Sequence, residues 1–300
     1  MSKAGATPRR RFSVYCRRRH PIALQISVLG SGSSGNVTFV SNGSLSLLID
    51  VGLACREIER RLGSFGIPPS AIDGLLLSHE HHDHARGALH FARKHRTTIF
   101  ATQGTFRGLK HQSTEKFKDI EWVRLKANRS LKLGQMTIDV FPTPHDAAEP
   151  VGFAVRHGRV RFSHVTDIGH VSRDVEEALR GSQAILLESN HDVDMLRHGP
   201  YPDSLKQRVG SLWGHLSNEA LARYLEERLP MSVRHLFLAH LSRTNNHETL
   251  ALASCREALR RRGEPVPMVH LCYHDRPTHL LRLTEPRKAR VSSAQRVLAF

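Results

Sequence analysis

Cysteine is scarce in this chain: four in 300 residues, Cys16, Cys55, Cys255 and Cys272, with no C-x-x-C spacing. That excludes a thiolate zinc knuckle and offers no disulfide framework, so a reducing cytoplasm is the expected compartment. No apolar stretch approaches the roughly 18–20 residues that a membrane span needs, so no membrane association is expected. Internal repeats and long low-complexity linkers are missing too. What remains is a chain of 39% hydrophobic residues, long enough to bury one large core or two modest ones.

Acidic residues are also in short supply, 28 against 44 Lys and Arg, for a net charge of +16. The excess is concentrated at the ends. Residues 1–20 hold seven Lys/Arg and no acid, and 285–300 hold Arg287, Lys288, Arg290 and Arg296 against Glu285. Basic segments of this kind favour a polyanionic partner through counterion release, although a solubilising tail would read the same way. The twin arginines before Phe12 do not make an export signal, because "CRRRH" interrupts before any apolar region follows. The expected organisation is a disordered basic extension over 1–21, one α/β domain over 22–284 and a basic tail over 285–300.

"ISVLGSGSSGN" (26–36) contains a complete G-x-G-x-x-G, and Asp50 follows at the distance of a dinucleotide-binding acid. The context is wrong for that motif. Gly35 should open a long helix, yet Asn36–Val40 is β-rich and Asn42-Gly43 turns it back into "LSLLID", the signature of a hairpin. The glycines are read instead as a tight, serine-lined turn near a site, with N–H groups available to a substrate phosphate. Beyond it, "IDGLLLS", "TTIFA", "LGQMTIDVFPT", "GFAVRHGRVRFSHVT", "QAILLES" and "RHLFLAH" read as strands. "CREIERRLGSFG", "GALHFARKH", "SRDVEEALRG", "SNEALARYLEERL" and "ETLALASCREALRRRG" read as helices. Hairpins first, then strands alternating with helices, predict an α/β domain with mixed sheets.

The most informative segment is "LLLSHEHHDHARG". It carries His79, His81, Asp83 and His84 in H-x-H-x-D-H spacing where a strand meets a helix. His79 and His81, two apart in an extended turn, can converge on one cation, while Asp83 and His84 face a neighbouring position. Imidazole with carboxylate suits Zn²⁺, Mn²⁺ or Fe rather than an all-oxygen Ca²⁺ site. His145, Asp167 and His240 each end a predicted strand and add donors; the two oxygens of Asp167 can bridge two cations. Taken singly, each has an ordinary explanation: a surface turn, a helix entry, a core histidine. Coming after H-x-H-x-D-H in this order, they read as one set.

The order Asp50, His79-x-His81-x-Asp83-His84, His145, Asp167, His240 resembles the metallo-β-lactamase fold hydrolases. "LGSGSSGN", "SHEHHDHARG", "ESNHDVDMLRHGPYP", "GHLSN" and "AHLSRTNN" are similar to the YycJ/WalJ-type subgroup. The resemblance implies an α/β fold, a four-layer αββα sandwich of two mixed sheets flanked by helices, with a dinuclear site at the sheet edges. It further implies one metal on His79, His81 and His145, a second on Asp83, His84 and His240, Asp167 between them, and Asp50 as a structural acid beneath. His81 stands where the flavodiiron branch has an acid, which argues for hydrolysis over redox. The short span from Asp167 to His240 leaves no room for the inserted domain of the β-CASP branch.

The expected chemistry is attack by a hydroxide held between two divalent ions, Zn or Mn with Fe as a further option, on a phosphodiester. Asp83 is placed to move a proton. The resemblance implies a 5′ exonuclease on DNA; a small-molecule hydrolase acting on a cyclic phosphodiester, thioester or lactone is the alternative, and a nucleic-acid-binding protein with structural metals a further one. Two patches are candidates for phosphate recognition. "SNHD" (Asn190, His191, Asp192) follows a strand, and "GHLSN" (His215, Ser217, Asn218) opens a helix whose free N–H groups attract anions. His215 is the candidate to protonate a leaving oxygen. A loop-stabilising network and a plain N-cap by Ser217 are the structural alternatives.

Overall fold

A computed structural model of the chain describes residues 23–112, 117 and 119–285. The basic segments expected at 1–21 and 285–300 therefore lie outside the described residues, except for Glu285. The first half runs β1 (Ala23–Gly30), β2 (Val37–Ser41), β3 (Ser46–Ile49), α1 (Cys55–Gly63), β4 (Gly74–Leu76), α2 (His82–Ala85), α3 (Ala88–His95), β5 (Thr98–Ala101), α4 (Gln103–Gln112) and β6 (Trp122–Arg124). The second half opens with β7 (Arg129–Leu133), β8 (Met136–Pro142), β9 (Val151–His157), β10 (Val160–Val165), α5 (Arg173–Leu179) and β11 (Ala184–Glu188). It continues through α6 (Val193–His198), α7 (Asp203–Val209), α8 (Asn218–Glu227), β12 (His235–Ala239), α9 (Glu248–Arg262), β13 (Met268–Leu271) and β14 (Leu281–Thr284).

These strands form two seven-stranded sheets, ordered β14-β1-β2-β3-β4-β5-β6 and β13-β12-β11-β10-β9-β8-β7. Each is mixed. Antiparallel hairpins occupy one side (β1–β2–β3 and β7–β8–β9–β10), and parallel strands the other (β3–β4–β5–β6 and β10–β11–β12–β13). The Asn42-Gly43 hairpin forms as read, with Gly43 at φ 85°, and no helix comes after Gly35 before the β2–β3 hairpin.

Period-two alternation explains the layering. Along β3, Leu47 and Ile49 enter the central core with Phe153, Phe162 and Phe237 of the facing sheet, whereas Leu48 turns outward. Along β11, Ala184 and Leu186 face the same core while Ile185 and Leu187 turn away. The outer face of the first sheet is covered by Ile58 and Leu62 of α1 and Leu89 and Phe91 of α3. The outer face of the second is covered by Val175 of α5, Leu225 of α8 and Leu259 of α9. Three apolar interfaces therefore separate four layers, the αββα sandwich expected from the sequence. Each large side chain wholly withdrawn from water contributes about 1.5–3 kcal/mol. Among the described residues no helix is long and apolar enough to cross a membrane.

The segment "GFAVRHGRVRFSHVT" is two strands rather than one, because Gly158 at φ 60° lets the chain reverse between β9 and β10. The short edge strands β6, β7, β13 and β14 and the helices α4, α6 and α7 escape the sequence reading. None presents a long apolar period of its own.

Candidate metal centre

Each sheet delivers residues to the same edge, where its parallel strands end. Asp50 follows β3, Ser78 and His79 follow β4, and His81 to His84 lead into and form α2. From the other sheet, His145 follows β8, Asp167 follows β10, Glu188 closes β11 and His240 follows β12. The carboxyl ends of parallel strands are the usual ligand side of α/β sheets. Asp50, Asp167 and His240 have φ of 58°, 55° and 57°. That left-handed conformation costs a residue with a Cβ about 1–2 kcal/mol, and here it breaks each strand abruptly at the sheet edge. A close approach also shapes the edge: a Cβ on Gly52 would lie 1.7 Å from the Asp83 carbonyl oxygen. Only glycine lets the turn after β3 pass beneath the Asp83 loop.

The donor atoms gather in four groups linked by shared residues, each with its atoms within 4.8 Å of one another: His79, His81 and His145; Asp83, His84 and His240; Asp167 with His79 and His84; and Asp167 with Glu188, His215 and His240. His145 Nε2 lies 3.2 Å from His81 Nδ1, and His240 Nε2 lies 3.2 Å from Asp83 Oδ2. His84 Nε2 is 2.8 Å from Asp167 Oδ2. All seven residues singled out as ligands are thus brought together.

Most of these imidazoles share one arrangement: Nδ1 is engaged by the protein and Nε2 faces the centre, that of His84 also meeting Asn36 Nδ2 at 2.9 Å. Nδ1 of His84 donates to Asp50 Oδ2 at 2.8 Å, that of His145 to the Gly214 carbonyl at 3.1 Å, and that of His240 to Glu188 Oε1 at 2.7 Å. His79 Nδ1 pairs with Ser78 Oγ at 2.9 Å, and its Nε2 is buried with no hydrogen-bond partner. His81 alone turns Nδ1 inward. Engaging one nitrogen fixes the tautomer and aims the other, as the hydrogen-bond partners behind metal-bound histidines do.

Burial opposes ionisation throughout. It pushes His79 and His145 below the ordinary histidine range. It is overcome at His84, where Asp167, Asp50 and Asp83 hold the pKa well above normal, and at His240, where Asp167, Asp83 and Glu188 do so. Their positive charge in turn draws Asp167 far down and Asp83 down to about 2. Protons thus sit between acids and imidazoles where a divalent cation can replace them, the usual competition at metal sites. An orphaned buried nitrogen, aimed donors and this charge pattern all fit divalent cations. Oxygen and imidazole donors in this mixture suit zinc, manganese or iron.

Residues 46–241 match the beta-lactamase superfamily domain. Exodeoxyribonuclease YycJ of Bacillus anthracis is 34% identical over 242 residues, which span 81% of this chain and 91% of that relative. The chain belongs to the beta-lactamase superfamily and, within it, to the YycJ/WalJ type. Exodeoxyribonuclease WalJ of Streptococcus pneumoniae serotype 2 is 32% identical over 231 residues, 77% of this chain and 86% of the relative. The fold matches the metallo-beta-lactamase fold protein YhfI from Bacillus subtilis, with a TM-score of 0.64 at 18% identity, covering 85% of this chain and 98% of that one.

In this superfamily member the site opens into a cleft of about 450 Å³ lined by His81, Asp83, Asp167, His215, His240, Asn190, Tyr201 and Arg208, among others. His215 lies beside the ligand cluster. Its Nδ1 is 2.8 Å from Glu188 Oε1, and its pKa is raised against the effect of burial by that carboxylate. Asp50 is fully buried and accepts from Ser78 N, Ser78 Oγ and His84 Nδ1. His191, Ser217 and Asn218 do not line the cleft. The Ser217 hydroxyl accepts from Ala220 N as the N-cap of α8, and the Asn218 amide is shared between Ser189 and Asn246 inside the fold. His191 is buried and its carbonyl accepts from Asn218 N. Two amides of the glycine turn are committed within the turn: Gly32 N donates to Asn36 Oδ1 and Gly35 N to the Gly32 carbonyl. Ser31 instead accepts from His240 N, at 2.7 Å, and Ser33 reaches the cleft.

Glu188 is the residue that the sequence reading missed. It is wholly buried, ionised with a pKa drawn down to about 2 against burial by His215 and His240, and it bonds both imidazoles and Ile168 N. The available signal was an acid closing the apolar run "AILLE", where an unpaired charge would be costly.

Proposed function

We propose that this chain is a metal-dependent hydrolase of phosphodiester bonds and that it trims DNA from the 5′ end. The observation that carries the reading is the convergence of seven His and Asp donors from both sheets on one cleft, with five imidazoles held in a fixed orientation. Two curated relatives of 32–34% identity bear the name exodeoxyribonuclease. The +16 charge favours a polyanionic substrate. The 5′ direction rests on the YycJ/WalJ-type resemblance.

In this reading His79, His81 and His145 hold one divalent ion, Asp83, His84 and His240 hold another, and Asp167 serves both. Zinc or manganese, with iron also suited to the donors, would polarise the phosphoryl oxygen and lower the pKa of water at the site. Asp50 and Glu188 orient the histidines behind the centre. Asp83 accepts a proton at its carboxylate. His215, with Nδ1 committed to Glu188, presents Nε2 to the leaving oxygen and donates a proton there. Asn190 and Arg208 line the path of the phosphate chain. Three buried free cysteines, Cys55, Cys255 and Cys272, accord with a reducing cytoplasm.

The test is trimming of 5′-labelled duplex DNA by purified protein with added Mn²⁺ or Zn²⁺. Activity abolished by chelator, restored by metal and lost in Asp83→Ala supports the reading. An Asp83→Ala variant that cuts at the wild-type rate overturns the mechanism. Turnover of a cyclic phosphodiester or thioester in place of DNA assigns a small-molecule hydrolase, and DNA binding with no turnover of any of these assigns a binding protein with structural metals.

A further inference from the structure

We infer that Trp213 is a stacking platform for a nucleobase of the substrate strand, one or more nucleotides away from the bond that is cut. The inference rests on the proposed nuclease activity and deepens it.

Trp213 is 59% exposed and its neighbour Leu212 67%, in a protein whose other large aromatic side chains lie buried or half-buried among the described residues. An indole left in water forgoes the largest apolar gain available to any side chain, and a loose loop would be the ordinary reason. This loop is not loose. The Trp213 carbonyl accepts from Asp146 N at 3.0 Å, the Gly214 carbonyl from His145 Nδ1 at 3.1 Å, and the Leu212 carbonyl from His170 Nδ1 at 3.0 Å. Trp213 N donates to Ser211 Oγ at 3.2 Å, and Gly214 N to the Ser211 carbonyl at 3.0 Å. Gly169 packs so tightly that a Cβ there would lie 2.2 Å from the Leu212 carbonyl carbon. The backbone of residues 212–214 is therefore pinned to the two loops that carry His145 and Asp167, while the indole is held out in solvent.

The flanking residues identify the occupant. On either side of Trp213, Arg208, Val209 and His215 line the cleft. Arg208 Nε donates to Asp146 Oδ2, which fixes the guanidinium beside His145 and leaves its terminal nitrogens without a partner among the described residues. A fixed guanidinium with open N–H groups suits a phosphate. A flat apolar face on the rigid loop that follows α7 suits a base, and every base has a face to stack. A cation lining the cleft and an exposed aromatic ring between two cleft-lining stretches of the chain match the alternating phosphates and bases of a single strand.

The experiment uses the full chain. In a Trp122→Phe background, Trp213 is the only tryptophan, and its fluorescence is titrated with a single-stranded oligonucleotide in the absence of added metal. Quenching that saturates, and that an oligonucleotide made entirely of abasic sites fails to produce, is expected. In parallel, cleavage kinetics compare Trp213→Ala and Trp213→Phe with wild type. Trp213→Ala should raise KM about five- to a hundredfold with little change in kcat, Trp213→Phe should restore most of the loss, and the alanine variant should no longer distinguish intact from abasic strands. Absence of quenching together with an unchanged KM overturns the platform while leaving the nuclease standing. A loss confined to kcat, or one that Phe does not rescue, overturns it as well, since that marks a loop-folding role. Quenching without DNA cleavage by the wild type keeps the platform and overturns the nuclease.

Discussion

His84 donates from Nδ1 to Asp50 Oδ2 at 2.8 Å, with both side chains entirely out of water. Asp50 also accepts from Ser78 N and Ser78 Oγ, so its carboxylate receives donors on both oxygens. An amide cannot do that, because its nitrogen turns a donor toward a donor. Asp50→Asn is expected to keep a cooperative fold, lose about 1–3 kcal/mol of stability and bind divalent metal about 10- to 100-fold more weakly. Chelator competition measures the affinity; an Asn variant that holds metal like wild type would remove Asp50 from the orienting role.

Glu188 serves two histidines from one oxygen, His215 at 2.8 Å and His240 at 2.7 Å, while the other oxygen takes Ile168 N at 2.9 Å. Glu188→Gln preserves volume but must point an N–H at one of those donors. A fall of about 10- to 100-fold in kcat/KM is expected, read from cleavage of a labelled oligonucleotide. Cleavage at the wild-type rate would show that the carboxylate is dispensable.

Gly52 is expected to tolerate no side chain. A Cβ placed 1.7 Å from the Asp83 carbonyl oxygen forces either the β3 turn or the Asp83 loop to move. Gly52→Ala should cost about 3 kcal/mol, at the upper end of overpacking, visible as a lower urea midpoint with an unchanged slope. An unshifted midpoint would mean that the two segments separate freely.

Away from the site, Glu59 joins α1 to α3 through Lys94 Nζ at 2.7 Å and His95 Nε2 at 2.8 Å. Lys94 and then His95 draw its pKa from 4.5 down to about 2. A lowered carboxylate pKa stabilises the fold above the unfolded value, and that contribution disappears as pH falls through the folded value. Glu59→Gln should therefore be less stable than wild type above about pH 5, with the gap closing between pH 4.5 and about 2. Urea unfolding across that range decides; a gap that widens on acidification contradicts the sign.

The cluster of donor residues was legible because its members sit in a dense local pattern or directly after apolar strands, so that chemistry and periodicity marked the same positions. The glycine turn was legible through its C-terminal neighbours: β-rich residues and an Asn-Gly corner rather than a helix. Glu188 was hidden because a lone acid at a strand end has no motif; its meaning arises only when β11 lies between β10 and β12. Ser217 and Asn218 misled for the converse reason. A helix start reads the same in sequence whether its polar residues face a ligand or, as here, cap the helix and knit α8 to the loop before α9. The fates of α4, α6 and α7 were set by tertiary packing, which propensity does not encode.

The donors come from both sheets, and neither sheet holds a complete set. Asp83 and His84 stand on one side of the seam and His145, Asp167 and His240 on the other, with the central core of Phe153, Phe162 and Phe237 directly behind. The centre therefore works as a clasp across two halves. A divalent ion held by this set would not be fully gripped until the sheets had docked, and would then resist their separation. A bound cation should thus favour the docked sheets over the parted ones, so that the stability of the protein depends on the metal supply as well as on its apolar core.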